Sequence, residues 1–137
     1  MEDESYSQEQ VDEFKYILRE SGGFDSLPPS QFVAGTVLTS TSPAFIAMFA
    51  NSLADGGVVN GLLRTQARRY ALEGILGTVQ LLLQSDKHLE ELKDNVCSPS
   101  GPAMIGVKSL EDNGFRSSVI NAVVDSYKRF SEIGKIR

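Results

Sequence analysis

Apolar residues recur at three- and four-residue steps along most of this 137-residue sequence, and this spacing constrains the fold more than any other feature. It places the apolar side chains on one face of a helix. The first such segment begins with Ser7 and Gln10 at capping-box spacing and ends at Gly22-Gly23. Later segments predict helices over residues 43–55, 65–84, 86–93, 104–112 and 115–133. The pattern predicts an all-α fold of about six helices joined by short loops.

The region before the second helix carries different signals. Residues 32–38 are rich in β-branched side chains and predict a short strand. Ser42 followed by Pro43 predicts an N-cap and a first helical residue. Gly56-Gly57 predicts the end of that helix. The Pro28-Pro29 linker leads us to divide the chain into a connecting helix and linker (1–31) and a helical domain (32–137).

The third helix is the longest predicted one, and it carries Gly74 and Gly77 in its interior. A glycine inside a helix costs about 1 kcal/mol relative to alanine, so two of them predict that another backbone approaches closely there. We expect this helix to be central and buried on more than one side. The apolar stripes are also broad for a chain of this size, which predicts contact with a second copy.

Composition excludes several classes of function. The net charge of -5 disfavours general binding of nucleic acid, which depends on neutralising phosphates. One cysteine and one histidine, Cys97 and His88, make a poor metal set, and we interpret them as an inert thiol and a solvated surface histidine. No continuous apolar run approaches about 18 residues, and the N-terminal residues are acidic, so we expect a cytoplasmic protein with no membrane partner. The length excludes a complete dehydrogenase with cofactor and substrate domains.

Signals of catalysis are few. The 137 residues contain no Gly-x-Gly-x-x-Gly fingerprint, no Walker loop and no His-Glu-x-x-His motif. Two hydroxyl-rich stretches, residues 39–43 and 98–102, precede predicted helices, and free N–H groups at a helix start suit a small carboxylate or phosphate. Each stretch also suits a simple helix cap. Arg64, Arg68 and Arg69 form either a solvated, salt-bridged face or a binding site for an anion or a protein partner.

A set of motifs in a fixed order makes the chain similar to one enzyme family. They are Ser42-Pro43-Ala44-Phe45; Leu53-Ala54-Asp55-Gly56-Gly57-Val58 with Gly61-Leu62; Leu92-Lys93-Asp94-Asn95-Val96 with Ser98-Pro99-x-Gly101; and Leu110-Glu111-x-x-Gly114-Phe115-Arg116-Ser117 with Ile120-Asn121-Ala122-Val123. Over residues 32–133 the chain resembles the C-terminal dimerisation domain of pyrroline-5-carboxylate reductase, the last enzyme of proline synthesis. The first helix resembles the helix that joins the two halves of that enzyme.

The resemblance implies an interlocked helical dimer of the 6-phosphogluconate dehydrogenase C-terminal-like type. In the family this dimer completes an active site with a Rossmann domain that binds NADPH or NADH, and some members form pentamers of dimers. The substrate carboxylate sits on a Ser-Pro-Gly-Gly-x-Thr loop, whose threonine also faces the ring nitrogen. By resemblance, the substrate-binding positions here are Ser98, Ser100, Gly101, Pro102 and Ala103.

Three departures accompany this resemblance. No Rossmann fingerprint is present, so we expect the 137 residues to bind no cofactor and to be inactive alone. The family threonine falls on Ala103, so no catalytic residue is assigned, and Pro102 has no N–H to offer a carboxylate. Two lost donors at a buried anion site correspond to roughly 100-fold in affinity. The family's Gly-Ser-Gly-Pro-Ala reads Ser40-Thr41-Ser42-Pro43-Ala44, without the two glycines.

Three hypotheses follow. The leading one is a homodimeric, reductase-like dimerisation domain without catalysis of its own. In the second, the chain contributes half of a substrate site to a partner chain that carries the Rossmann domain. In the third, it is a helical module that binds an unrelated protein through Arg64, Arg68 and Arg69.

Overall fold

The computed structural model describes residues 6–135, except for the side chains of Ser21 and Lys135. The acidic residues at the N-terminus (1–5) and residues 136–137 lie outside the described residues. The helices are α1 (Gln8–Ile17), α2 (Pro29–Val59), α3 (Arg64–Leu83), α4 (Leu89–Val96), α5 (Pro102–Asp112) and α6 (Phe115–Lys135). No strand occurs between residues 6 and 135, which confirms the all-α prediction.

The chain divides into two compact units, Met1–Phe32 and Val33–Arg137. In the first unit the predicted capping box is present: Ser7 Oγ accepts from the Gln10 N–H, and Gln10 Oε1 accepts from the Ser7 N–H at 2.9 Å. α1 ends at Ile17, earlier than Gly22, and a 3-10 turn (Arg19–Ser21) follows. α1 buries none of its side chains, and Phe14 packs edge-on against Phe24 at 5.7 Å between ring centroids.

The strand predicted over residues 32–38 and the helix start predicted at Ser42 and Pro43 are wrong. α2 is a single helix of 31 residues that passes through Pro43. Hydroxyl groups bond back to carbonyls four residues earlier, from Thr41 Oγ1 to Val37 O (2.8 Å) and from Ser42 Oγ to Leu38 O (2.6 Å). These bonds satisfy the hydroxyl groups within the helix, although such residues by themselves favour other structures.

Gly56-Gly57 does not end α2, as the sequence predicted. The helix ends in a Schellman motif around Gly61, whose φ is 97°: the Leu62 N–H donates to Gly57 O (3.1 Å) and the Gly61 N–H to Val58 O (3.0 Å). A Cβ at Gly57 would lie 3.2 Å from Ala67 Cβ. Gly57 therefore serves a close approach between α2 and α3 and not a helix end.

Very few side chains of this chain are buried. Among the described residues they are Val37, Ala50, Ala54 and Ala67. Three of the four are alanines, and one of them, Ala67 of α3, lies at the close approach to Gly57 of α2. The expectation that the third helix is buried on more than one side is wrong for a single chain: α3 buries only Ala67, and Leu76 and Leu83 are 59% and 82% exposed.

The remaining helices lie close to their predicted positions. α4 begins three residues later than predicted, and α5 begins at Pro102. The turn between α5 and α6 uses Asn113 and Gly114, as predicted; Gly114 has a φ of 70°, and its N–H donates to Glu111 O at 3.0 Å. These short connections bring the end of α5 next to the first turn of α6.

Among residues 6–135, one helix is long and apolar enough to cross a membrane by length and composition alone. It is α2, with a mean hydropathy of 1.5 over an 18-residue window that is 6% buried. The sequence expectation counted only continuous apolar runs and missed this average. Core helices of soluble proteins pass the same test. The exposed apolar surface of α2 therefore requires contact either with lipid or with other protein surface.

Candidate substrate loop and dimer groove

The 98–103 loop, the substrate loop implied by the resemblance, forms a tight turn before α5. The Gly101 N–H donates to Ser98 O at 2.9 Å, which closes a four-residue β-turn with Pro99 in its second position. Ser100 has a φ of 56°, the sign required in the third position of a type II turn. Ser98, Pro99 and Ser100 are exposed, and Gly101 is half-buried.

The start of α5 offers few donors to an anion. Gly101 is the N-cap, with no side-chain hydrogen bond, and Pro102 follows as the first helical residue. A Cβ at Gly101 would collide with Ser98 Oγ in its present position and lie 3.1 Å from Ser98 O, so the turn fits closely around this glycine. Because the Gly101 N–H is used in the turn and Pro102 has none, the first amides left for a ligand are those of Ala103 and Met104.

Ser100 stands where the family loop has a glycine, and its left-handed backbone is unfavourable for any residue with a Cβ. We expect Ser100→Gly to raise the free energy of unfolding by about 1 kcal/mol, because glycine relieves this strain. Thermal unfolding at a fixed protein concentration measures the change. The matched control Ser109→Gly, inside α5, should lower stability by about 0.5–1 kcal/mol. A loss of stability in Ser100→Gly contradicts the prediction.

A cluster of charges joins the two helices that flank this loop. Arg116 Nε donates to Glu111 Oε1 (2.5 Å) in α5, and Arg116 Nη1 donates to Glu90 Oε1 (2.8 Å) in α4. Lys93 Nζ donates to Glu90 Oε2 at 2.6 Å. The hydrogen bonds from Arg116 and then Lys93 lower the pKa of Glu90 to about 2, and the two glutamates raise the pKa of Arg116. In the sequence, Arg116 stands out only as part of a motif. Its contact with Glu90 is not predicted, because no local spacing relates two residues that are 26 apart.

This cluster predicts an acid-sensitive contribution to stability. The pKa of Glu90 falls from 4.5 to about 2 on folding, so ionised Glu90 stabilises the fold. The contribution is fully present above pH 4.5 and is lost as the pH falls through about 2. The difference in melting temperature between the wild type and Glu90→Gln should therefore be constant near neutrality and shrink towards zero at about pH 2. A difference that does not change with pH contradicts the prediction.

The other polar candidates from the sequence do not form ligand sites. Residues 39–43 lie inside α2, so they are not a loop at a helix start, and the Thr41 and Ser42 hydroxyls are used within the helix. His88 is the N-cap of α4, where its Nδ1 accepts from the Glu90 N–H at 3.2 Å, and Cys97 is half-buried. Within the described residues no group of His, Cys, Asp or Glu could hold a metal ion.

The three arginines at the start of α3 are spread over separate contacts. Arg64 pairs with Asp55 at the end of α2, and Arg69 pairs with Glu73 at 3.8 Å within α3. Arg68 is exposed. These contacts match a solvated, salt-bridged face, and nothing in them converges on one point where an anion would bind.

An apolar groove lies between α2 and α3, and we call it the α2–α3 groove. It has a volume of about 480 Å³ and is open to solvent. Its lining residues are mostly apolar and come from facing sides of the two helices: Phe49 and Leu53 from α2, and Tyr70, Ala71, Gly74, Ile75, Thr78 and Val79 from α3. Beyond its own neighbours in α3, a Cβ at Gly74 would meet nothing within 4 Å, so no other helix of the chain covers this position.

Comparisons with known proteins agree with this architecture. A family model described as pyrroline-5-carboxylate reductase dimerisation matches residues 29–133, which include the loop and the groove. The pyrroline-5-carboxylate reductase of Synechocystis is 39% identical over 127 residues, which make up 93% of this chain and 48% of that protein. Pyrroline-5-carboxylate reductase 2 of Bos taurus is 45% identical over 100 residues, 73% of this chain and 31% of that protein.

Solved structures show the same likeness. Plasmodium falciparum pyrroline carboxylate reductase, with NADP bound, superimposes with a TM-score of 0.83 at 30% identity, over 93% of this chain and 51% of that one. The Streptococcus pyogenes reductase gives 0.84 at 26% identity, over 93% and 49%. The chain thus spans about half the length, or less, of these relatives. It belongs to the pyrroline-5-carboxylate reductase family and corresponds to the dimerisation domain of those enzymes.

Proposed function

We propose that this chain forms a homodimer through the apolar faces of its helices and carries out no catalysis by itself. The observation that carries the proposal is the α2–α3 groove, whose apolar walls the chain leaves open to solvent. Burial of apolar surface stabilises an assembly by about 25 cal/mol per Å², so exposed walls of this kind favour a partner. A second copy is the partner that the dimerisation family supports.

The exposed surface of α2 supports the same proposal. Ile46, Met48 and Leu53 are 49%, 75% and 47% exposed, on a helix that buries only Val37, Ala50 and Ala54. A helix that is apolar on several sides requires an apolar cover. We assign that cover to a second copy and not to a membrane, because the match to the dimerisation family includes all of α2. A cytoplasmic location accompanies this proposal.

Light scattering of the purified chain tests the proposal directly. At tens of micromolar we expect a mass of twice 14.9 kDa, or a multiple of that dimer. A well-behaved monomer under the same conditions overturns it. Liposome flotation of the same sample checks the assignment of α2, and recovery of the chain with the lipid overturns that assignment.

A second function is favoured by the geometry of the 98–103 loop. The turn keeps a closely fitting glycine at Gly101, as a substrate loop of the family would. In this reading the chain lends the loop to a partner chain that holds NADPH or NADH. Ala103 has no hydroxyl for the family threonine's role, and Pro102 has no N–H, which supports the non-catalytic reading instead.

An NAD(P)H oxidation assay with pyrroline-5-carboxylate separates the two functions. The chain is assayed alone and mixed with a full-length reductase, such as the one from Synechocystis. We expect no rate alone and no gain in the mixture. A rate in the mixture above that of the full-length enzyme supports the second function.

A further inference from the structure

One arginine connects three helices of the second unit. Arg116, the second residue of α6, bonds to Glu111 in the last turn of α5 and to Glu90 in the first turn of α4. Glu90 and Arg116 are 26 residues apart. Every other side-chain hydrogen bond found within residues 6–135 joins residues nine or fewer apart. Among these bonds, the one between Arg116 and Glu90 therefore connects residues that are far apart in the sequence.

The helices tied by Arg116 are those on either side of the 98–103 loop. Neither α4 nor α5 contains a buried side chain, so no apolar core of their own fixes the angle between them. The Gly101 N–H to Ser98 O bond closes the turn inside the loop. The bonds from Cys97 N–H to Lys93 O and from Ile105 N–H to Gly101 O each stay next to one helix, α4 or α5, and none of these three bonds joins the two helices to each other. A polar contact that joins the two helices flanking the loop can therefore fix the position of the turn.

The position of Arg116 is fixed in turn by its neighbour Phe115. The Phe115 ring packs on Phe49 of α2, with ring centroids 5.9 Å apart. This contact holds the start of α6 against α2, the longest helix of the chain. The planar guanidinium then presents two separate nitrogens to two carboxylates, an arrangement that a lysine ammonium does not reproduce.

We propose that Arg116 is the positioning residue of the 98–103 loop. By binding Glu90 and Glu111 at the same time, it sets the angle between α4 and α5 and so holds the Ser98–Gly101 turn in place. Lys93 supports it by occupying the second oxygen of Glu90. This role concerns contacts within one chain and goes beyond the proposed dimerisation.

Arg116→Gln tests the proposal through amide hydrogen exchange, measured by NMR. The readout is the Gly101 amide, compared with the amides of Ala50 and Ala54 in the buried part of α2. We expect exchange at Gly101 to become about fivefold faster, with α2 unchanged, because the network is exposed and modest in strength. Arg69→Gln, which removes an ion pair inside α3, is the matched control and should leave Gly101 unaffected.

Salt provides a second readout that a packing role would not change. Raising KCl from about 0.05 M to about 0.5 M should speed Gly101 exchange in the wild type, because screening weakens exposed ion pairs. The same step should have no effect in Arg116→Gln. The proposal is overturned if Gly101 exchange is the same in both proteins, or if Gly101 and the two alanines speed up equally. Light scattering of each sample reports the oligomeric state, so failure of dimerisation is seen separately.

Discussion

Leu53→Asp is expected to convert the proposed dimer into a folded monomer. Leu53 lines the α2–α3 groove and is 47% exposed in the single chain, so an aspartate there stays hydrated when no partner is bound. In the proposed dimer each carboxylate is buried against apolar side chains, at a cost of several kcal/mol per charge. A two-fold interface contains the change twice, and the dissociation constant should rise by more than about 1,000-fold.

Sedimentation velocity at tens of micromolar measures this change, and circular dichroism confirms that the helices remain. Ser52→Asp is the matched control. It adds the same charge to the neighbouring residue of α2, whose exposed hydroxyl already bonds to Met48 O and which does not line the groove. The control should remain dimeric. If Leu53→Asp stays a dimer as stable as the control, the groove is not the interface.

Local signals in the sequence predict the local parts of this fold well. Ser7 and Gln10 form the capping box that their spacing indicates, and Asn113-Gly114 makes the turn between α5 and α6. Both depend on hydrogen bonds within four residues, which a sequence shows directly. Pro43 is the instructive failure. Its signal is equally local, but α2 continues through it, so a helix start inferred from Ser42 and Pro43 is overruled by the longer helix.

Some features of the candidate site can also be predicted from local sequence, whereas others cannot. The close fit around Gly101 follows from a turn that the loop residues define among themselves, and the ordered motifs point to that loop. The positioning role of Arg116 depends on its contact with Glu90, 26 residues away. No periodic pattern in the sequence indicates this contact. The apolar stripes predicted a partner, and the exposed groove agrees with it, but no stripe indicates which residues face a partner and which face the same chain.

Gly74→Leu is the second change with a large expected effect. Its effect on the stability of the dimer distinguishes a glycine that faces open space from one that a second copy approaches closely. In an isolated chain a leucine at position 74 meets nothing within 4 Å of its Cβ, so it should stabilise α3 by about 0.8 kcal/mol through helix propensity. In a dimer whose second copy occupies the α2–α3 groove, the leucine overpacks the interface by about 1–3 kcal/mol at each of two sites.

The dissociation constant of Gly74→Leu should therefore rise by at least about 30-fold, while the monomer at high dilution gains helix stability. Gly106→Leu is the matched control, since Gly106 is also an exposed helical glycine with open space at its Cβ but lies outside the groove. Dilution series by light scattering measure both variants. An unchanged dimer in Gly74→Leu means that no backbone approaches position 74, and the interior glycine of α3 then requires an explanation other than close packing with a second copy.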